Sequence, residues 1–174
     1  MLMGMLSAGG VPLLVDGVRT ADEDNPKGYH ELEKVKALDK PGDKSWLGEA
    51  QGKSLKIISF LLQHLPAAYD YKIIFLRRQL PEILASQKKM LERRGESAGD
   101  VSDEDMAHMF TSHLAKVDVL LAQRENCDVL YVEYGDAVDN PSQVAEAINQ
   151  FLGGRLDTNA MATAVDPRLY RNRA

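Results

Sequence analysis

The stretch Tyr71–Ser86, YKIIFLRRQLPEILAS, passes from an apolar segment through two arginines into a segment of helical character. Tyr71 to Leu76 is rich in Tyr, Ile, Phe and Leu and too short for a helix, so it reads as a strand. Pro81 suits a first helical turn, and the spacing beyond it predicts a helix from Pro81 to Arg93. The same alternation recurs on either side. Leu55 to Ser59 (LKIIS) and Val129 to Tyr134 (VLYVEY) read as two further strands. Phe60 to Leu65, Asp103 to Arg124 and Ser142 to Leu152 read as helices, with Ser102 and Asn140 placed as caps. Strands that alternate with helices need crossover connections, which implies an α/β fold with a parallel sheet. Such sheets bind ligands beyond the carboxyl ends of their strands, where this stretch puts Arg77 and Arg78.

Period-two alternation sends those arginines to opposite faces, so only one can point into a given crevice. An Arg at a strand end and a hydroxyl on the next helix, here Ser86, can together bind a phosphate through charge-assisted hydrogen bonds. Spacing alone favours a plainer reading, in which the Arg pairs with a neighbouring acid and Ser86 sits on a solvated face.

Towards the amino end, Met1 to Ser7 reads as a helix closed at Gly9-Gly10, where glycine takes the left-handed conformation. No capping residue precedes it, which suggests that something upstream is missing. Val11 to Val15 is a short strand or extended loop. Asp16 to Gly28 is polar and turn-rich, and Tyr29 to Leu38 has helical spacing that Lys40-Pro41-Gly42 stops.

The 174 residues fit one domain that can bury a core, and 44% apolar with 27% charged residues is ordinary for a globular protein. A net charge of −5 without a block of like charge argues against a nucleic-acid partner, though a local basic pocket remains open to an anion. The single Cys127 rules out an internal disulfide and fits a reducing compartment. No apolar run reaches the ~18 residues of a spanning helix, and the start lacks the basic region of a signal peptide, so the expectation is cytoplasmic. The four histidines have no metal-ligand spacing; His108 and His113, five apart, fall off a common helix face.

FLRRQLPEILASQ resembles the sulfotransferase family, in which a strand leads into an Arg and a Ser follows eight residues later on the next helix. Arg78 and Ser86 match that pair in register, although the family's Arg-Asp-Pro is Arg78-Gln79-Leu80 here, with Pro81 one place later. Val129 to Pro141 (VLYVEYGDAVDNP) is similar to the family's strand ending in Tyr-Glu-Asp, with Tyr134 and Asp136 in place and Gly135 at the middle acid. The helix VAEAINQFLG and the Asn-Pro-Lys-Gly-Tyr-His-Glu31 loop also look like family segments, the loop like that of bacterial members. MLMGMLSAGGVPLLVDG resembles the helix that follows the family's 5′-phosphosulfate loop, which has a Pro-Arg-Ser-Gly-Thr-Ser-like sequence. No such loop stands in this sequence.

The resemblance implies a three-layer α/β/α domain over residues 1–174, like the P-loop nucleoside triphosphate hydrolases, with a central parallel sheet. The domain is expected to be truncated, lacking its N-terminal strand and 5′-phosphosulfate loop. It implies sulfuryl transfer from 3′-phosphoadenosine 5′-phosphosulfate to a hydroxyl or amine of a small-molecule or glycan acceptor, without a metal. Arg78 and Ser86 would hold the 3′-phosphate, and Tyr134 either contacts the nucleotide or closes the core edge. Arg171, in the late basic segment, would reach back to the nucleotide unless that segment is simply a frayed tail. Lys56 would neutralise charge on the sulfuryl oxygens, or else it is an exposed edge charge. The candidates for the proton-accepting base are Glu23, Asp24 and Glu31, with His30 and His64 behind them. Glu23 is preferred over Glu31, unless these acids are simply a solvated loop, and His64 reads as a helix-surface residue. Two other readings stay open. One is a small-molecule kinase relative with the P-loop fold. The other is a non-catalytic fragment with a partial nucleotide site, whose exposed sheet edges would lead to self-association.

Overall fold

The computed structural model describes residues 1–19, 21, 28–95 and 102–169. Two strands form the sheet among them, β1 (Tyr71–Arg77) and β2 (Cys127–Glu133). They pair in parallel from Tyr71↔Cys127 to Arg77↔Glu133. The crossover between them carries two helices, α2 (Leu80–Arg94) and α3 (Asp103–Ala122). The family-like α/β architecture is therefore present, with a small parallel sheet at its centre.

Each strand is apolar on both faces because each face meets a different core. Ile74, Leu76, Leu130 and Val132 join a cluster built on Met5, Leu6, Ala137, Val144, Ile148 and Met161. These come from α1 (Leu2–Ala8), α4 (Tyr134–Asp139), α5 (Pro141–Phe151) and α6 (Thr158–Thr163). On the other face Tyr71, Ile73, Phe75, Cys127 and Val129 pack with Leu38, Leu47, Leu62, Leu65, Val117 and Leu121. That second layer is α3 and the 3-10 segments Glu33–Ala37, Ser45–Ala50 and Ser59–His64. The period of two thus divides one short sheet between two helical layers.

Local chemistry explains several boundaries. Helix α1 ends where Val11 N donates to Leu6 O at 2.9 Å and Gly10 N to Ser7 O at 3.1 Å, with Gly10 at φ 95°. This is the Schellman arrangement, and Gly10 rather than Gly9 takes the left-handed conformation. Gly9 has a different reason to be glycine, since a Cβ there would stand 2.6 Å from Met161 Cγ. Ser102 caps α3 by accepting from Asp105 N at 3.0 Å. Asn140 precedes α5 as expected but makes no side-chain cap bond; Pro141 at the helix start needs no N–H partner.

Four expectations are corrected. Leu55 to Ser59 is not a ladder strand: the only pairing in its vicinity among the described residues is the parallel bridge Leu13↔Ser54, and residues from Ser59 turn into a 3-10 segment. Tyr29 to Leu38 shortens to the 3-10 turn Glu33–Ala37, because His30 sits at φ 49° and Leu32 is extended at φ −126° and ψ 120°, so no helix runs through them. Phe60 to Leu65 is 3-10 rather than α-helical. The third predicted strand ends at Glu133, so Tyr134 opens a helix instead of closing a strand. Sequence reading also missed α6, which Asp157 caps by accepting from Ala160 N at 2.9 Å. No helix among the described residues is long and apolar enough to cross a membrane.

Candidate functional site

The alternation at the end of β1 resolves the two arginines. Arg77 turns to the α3 face, where its Nη2 donates to both oxygens of Asp118 at 2.6 and 2.7 Å. Its guanidinium lies 4.2 Å from the Tyr131 ring centroid, and the Tyr131 hydroxyl donates to Asp118 at 3.1 Å. Arg77 is thus fastened to the structure on the face away from Arg78.

Arg78 stands just past the carboxyl end of β1 and turns the other way. Its Nε donates to Glu82 Oε2 at 2.9 Å, and its guanidinium lies 4.8 Å from the Tyr134 ring centroid. Tyr134, at the start of α4, is brought there because β2 ends in register with Arg77. Burial pushes the Tyr134 phenol above its ordinary pKa; the Arg78 charge opposes the shift and the Glu82 charge adds to it. Glu82 is 4% exposed. Ser86, partly buried on α2, lies four residues beyond Glu82 as Glu82 lies four beyond Arg78. Residues four apart share a helix face, so Glu82 and Ser86 lie on the same side of α2.

A second charged group forms around Lys56. Its Nζ donates to Glu31 Oε1 at 3.0 Å and to the Tyr29 carbonyl at 3.2 Å. Arg19 reaches the same carboxylate at 3.5 Å and stacks on Tyr29 at 3.3 Å. Burial pushes the Glu31 carboxyl up, but the Lys56 hydrogen bond and charge, joined by Arg19, outweigh it and hold the group below its ordinary value. Asp16 anchors the base of this loop: it accepts from Glu33 N at 2.6 Å and Val18 N at 3.0 Å, and these bonds lower its pKa.

Of the residues singled out from sequence, Arg78 and Tyr134 meet at the end of β1, Ser86 lies on the Glu82 side of α2, and Lys56 belongs to the Glu31 group. Glu23 and Arg171 lie outside the described residues. His64 is a partly buried residue of the 3-10 segment, and its carbonyl accepts from Lys44 Nζ at 3.4 Å. Sequence reasoning missed Glu82, although the i,i+4 spacing to Arg78 was a usable signal. It also missed His113, whose Nε2 is 2.9 Å from Ser59 Oγ and whose ring stacks on Phe60 at 3.6 Å. No sequence signal joins those distant residues.

A model of the family described as "Sulfotransferase family" matches residues 20–158. No curated protein and no solved structure matches the chain.

Proposed function

Because this chain belongs to the sulfotransferase family, we propose that it serves sulfuryl transfer from 3′-phosphoadenosine 5′-phosphosulfate to a hydroxyl or amine of a small-molecule or glycan acceptor. Its own part in donor binding is a 3′-phosphate site at Arg78 and Ser86. The observation that carries this reading is the placement of Arg78 beyond the carboxyl end of a parallel strand, with Ser86 on the Glu82 face of the next helix. A guanidinium offers several N–H donors in one plane, which suits a phosphate, and a serine hydroxyl adds another donor. Tyr134 is assigned to the nucleotide site because its ring already borders Arg78.

Lys56 is assigned to the transferred group, where an ammonium would offset charge growing on the sulfuryl oxygens. Glu31 fits the role of its counter-ion better than that of the base. A carboxylate shared by two cations is a weaker proton acceptor, since both cations favour its ionised form. Glu23 therefore stays the proposed base, and Arg171 a proposed contact of the nucleotide.

Titration calorimetry with adenosine 3′,5′-bisphosphate tests the 3′-phosphate site. Arg78→Ala should weaken binding by ~1.5–3 kcal/mol, the scale of a charged hydrogen bond. Unchanged affinity moves the site elsewhere. One observation favours binding without turnover for these 174 residues: no stretch of them has the glycine-rich pattern of a loop that would cradle the 5′-phosphosulfate. Sulfuryl transfer by this chain alone is accordingly expected at background, and turnover above background would remove that second reading.

A further inference from the structure

Glu82 is the one charged side chain in the buried class among the described residues, at 4% exposure. A buried carboxylate is costly unless it is paired, and an apolar residue of similar size often stabilises a fold as well as a buried ion pair does. Stability alone therefore gives little reason for a glutamate here. The pair is also lopsided. The Glu82 side chain is sealed, whereas that of Arg78 is 24% exposed at the carboxyl edge of the sheet. The charge that reaches solvent is the arginine's.

The contact geometry constrains the guanidinium on two sides. Glu82 Oε2 takes the Nε–H at 2.9 Å, which fixes the inner edge of the fork. The Tyr134 ring, 4.8 Å from the guanidinium carbon, borders it as well. A planar group held at one edge and against a ring has few orientations left, so less freedom is lost when it meets a phosphate. We propose that Glu82 is a positioning residue, which with the Tyr134 ring presents the Arg78 guanidinium to a 3′-phosphate. This rests on the 3′-phosphate reading given above.

A positioning role separates from a structural one in the selectivity of the effect. The wild-type chain should bind adenosine 3′,5′-bisphosphate more tightly than adenosine 5′-phosphate, and Arg78→Ala should remove that preference. Glu82→Gln keeps an oxygen for the Nε–H and should hold the preference within about twofold of wild type. Glu82→Asp keeps the charge but withdraws it by one methylene, and should cut the preference about tenfold with adenosine 5′-phosphate binding unchanged. Thermal melts of both variants establish that they are folded. If Gln and Asp weaken the two nucleotides alike, or if Asp leaves the preference intact while Arg78→Ala abolishes it, the positioning role is wrong and the Arg78 site survives. If wild type shows no preference, or Arg78→Ala leaves it unchanged, the 3′-phosphate reading itself falls.

Discussion

Neighbouring arginines at the end of β1 should give opposite phenotypes when each is replaced. Arg77→Ala removes both contacts to Asp118, at 2.6 and 2.7 Å, and the stacking on Tyr131 at 4.2 Å. Hydrogen bonds to charged groups contribute about 1.5–3 kcal/mol when sheltered. Here the two side chains are 36% and 40% exposed, so solvent screening brings the ion pair towards the surface value of about 0.5–1 kcal/mol. Loss of the cation–ring contact adds about 0.5–1 kcal/mol. Asp118 keeps the Tyr131 hydroxyl and access to water, so no unpaired buried charge is left behind. The variant should thus lose about 1–2 kcal/mol in urea unfolding followed by circular dichroism. Calorimetry on the same sample, at a temperature where it is fully folded, should give wild-type affinity for adenosine 3′,5′-bisphosphate. Wild-type stability, or a loss of nucleotide binding like that of Arg78→Ala, would refute the assignment of the two arginines to opposite faces.

Three further outcomes bear on the scaffold. Gly9→Ala places a Cβ 2.6 Å from Met161 Cγ and 2.8 Å from its Sδ, beside a side chain with no exposure; overpacking should cost about 1–3 kcal/mol in the same unfolding assay. Ser102→Ala removes the acceptor for Asp105 N and should cost about 1 kcal/mol, measured as a lowered midpoint. Burial, helped by the Lys116 charge, lowers the pKa of His113 in the fold. The unfolded chain therefore binds more protons than the native one between the two pKa values. Stability from this group is full above the ordinary histidine value, about 6.5, and is lost as pH falls through the lower native value. His113→Gln should flatten part of the fall in stability between about pH 7.5 and about pH 5.5; His30, also lowered chiefly by burial, keeps the remainder. An unchanged slope would mean that His113 takes up its proton in the native state as readily as in the unfolded one.

The parts of the fold that could be read from sequence are those whose signals are local. Both ladder strands were legible because each is a short apolar run, and α3 because Ser102 precedes a long helical stretch. Leu55 to Ser59 shares the Lys-Ile-Ile core of β1 yet forms no ladder. A strand needs a partner as well as a propensity, and pairing is a non-local fact that a single run does not carry. Tyr134 illustrates the limit at a boundary, since a tyrosine after an apolar run suits a strand end as well as a helix start. The Arg-Arg doublet was half legible. Alternation required opposite faces, but the choice of Arg77 for Asp118 depends on a helix some forty residues away. Glu82 stood in plain view four residues after Arg78, and only its burial shows that the pair differs from an ordinary surface bridge. The Lys56 group needed two loops to meet, so neither Glu31 nor Arg19 could be joined to it beforehand.

A crystal structure of the 174-residue chain with adenosine 3′,5′-bisphosphate would show directly which residues hold the 3′-phosphate. The 3′-phosphate is expected within hydrogen-bond distance of the Arg78 guanidinium and the Ser86 hydroxyl, with Glu82 still on the Arg78 Nε. A nucleotide bound with its 3′-phosphate away from both residues would contradict it.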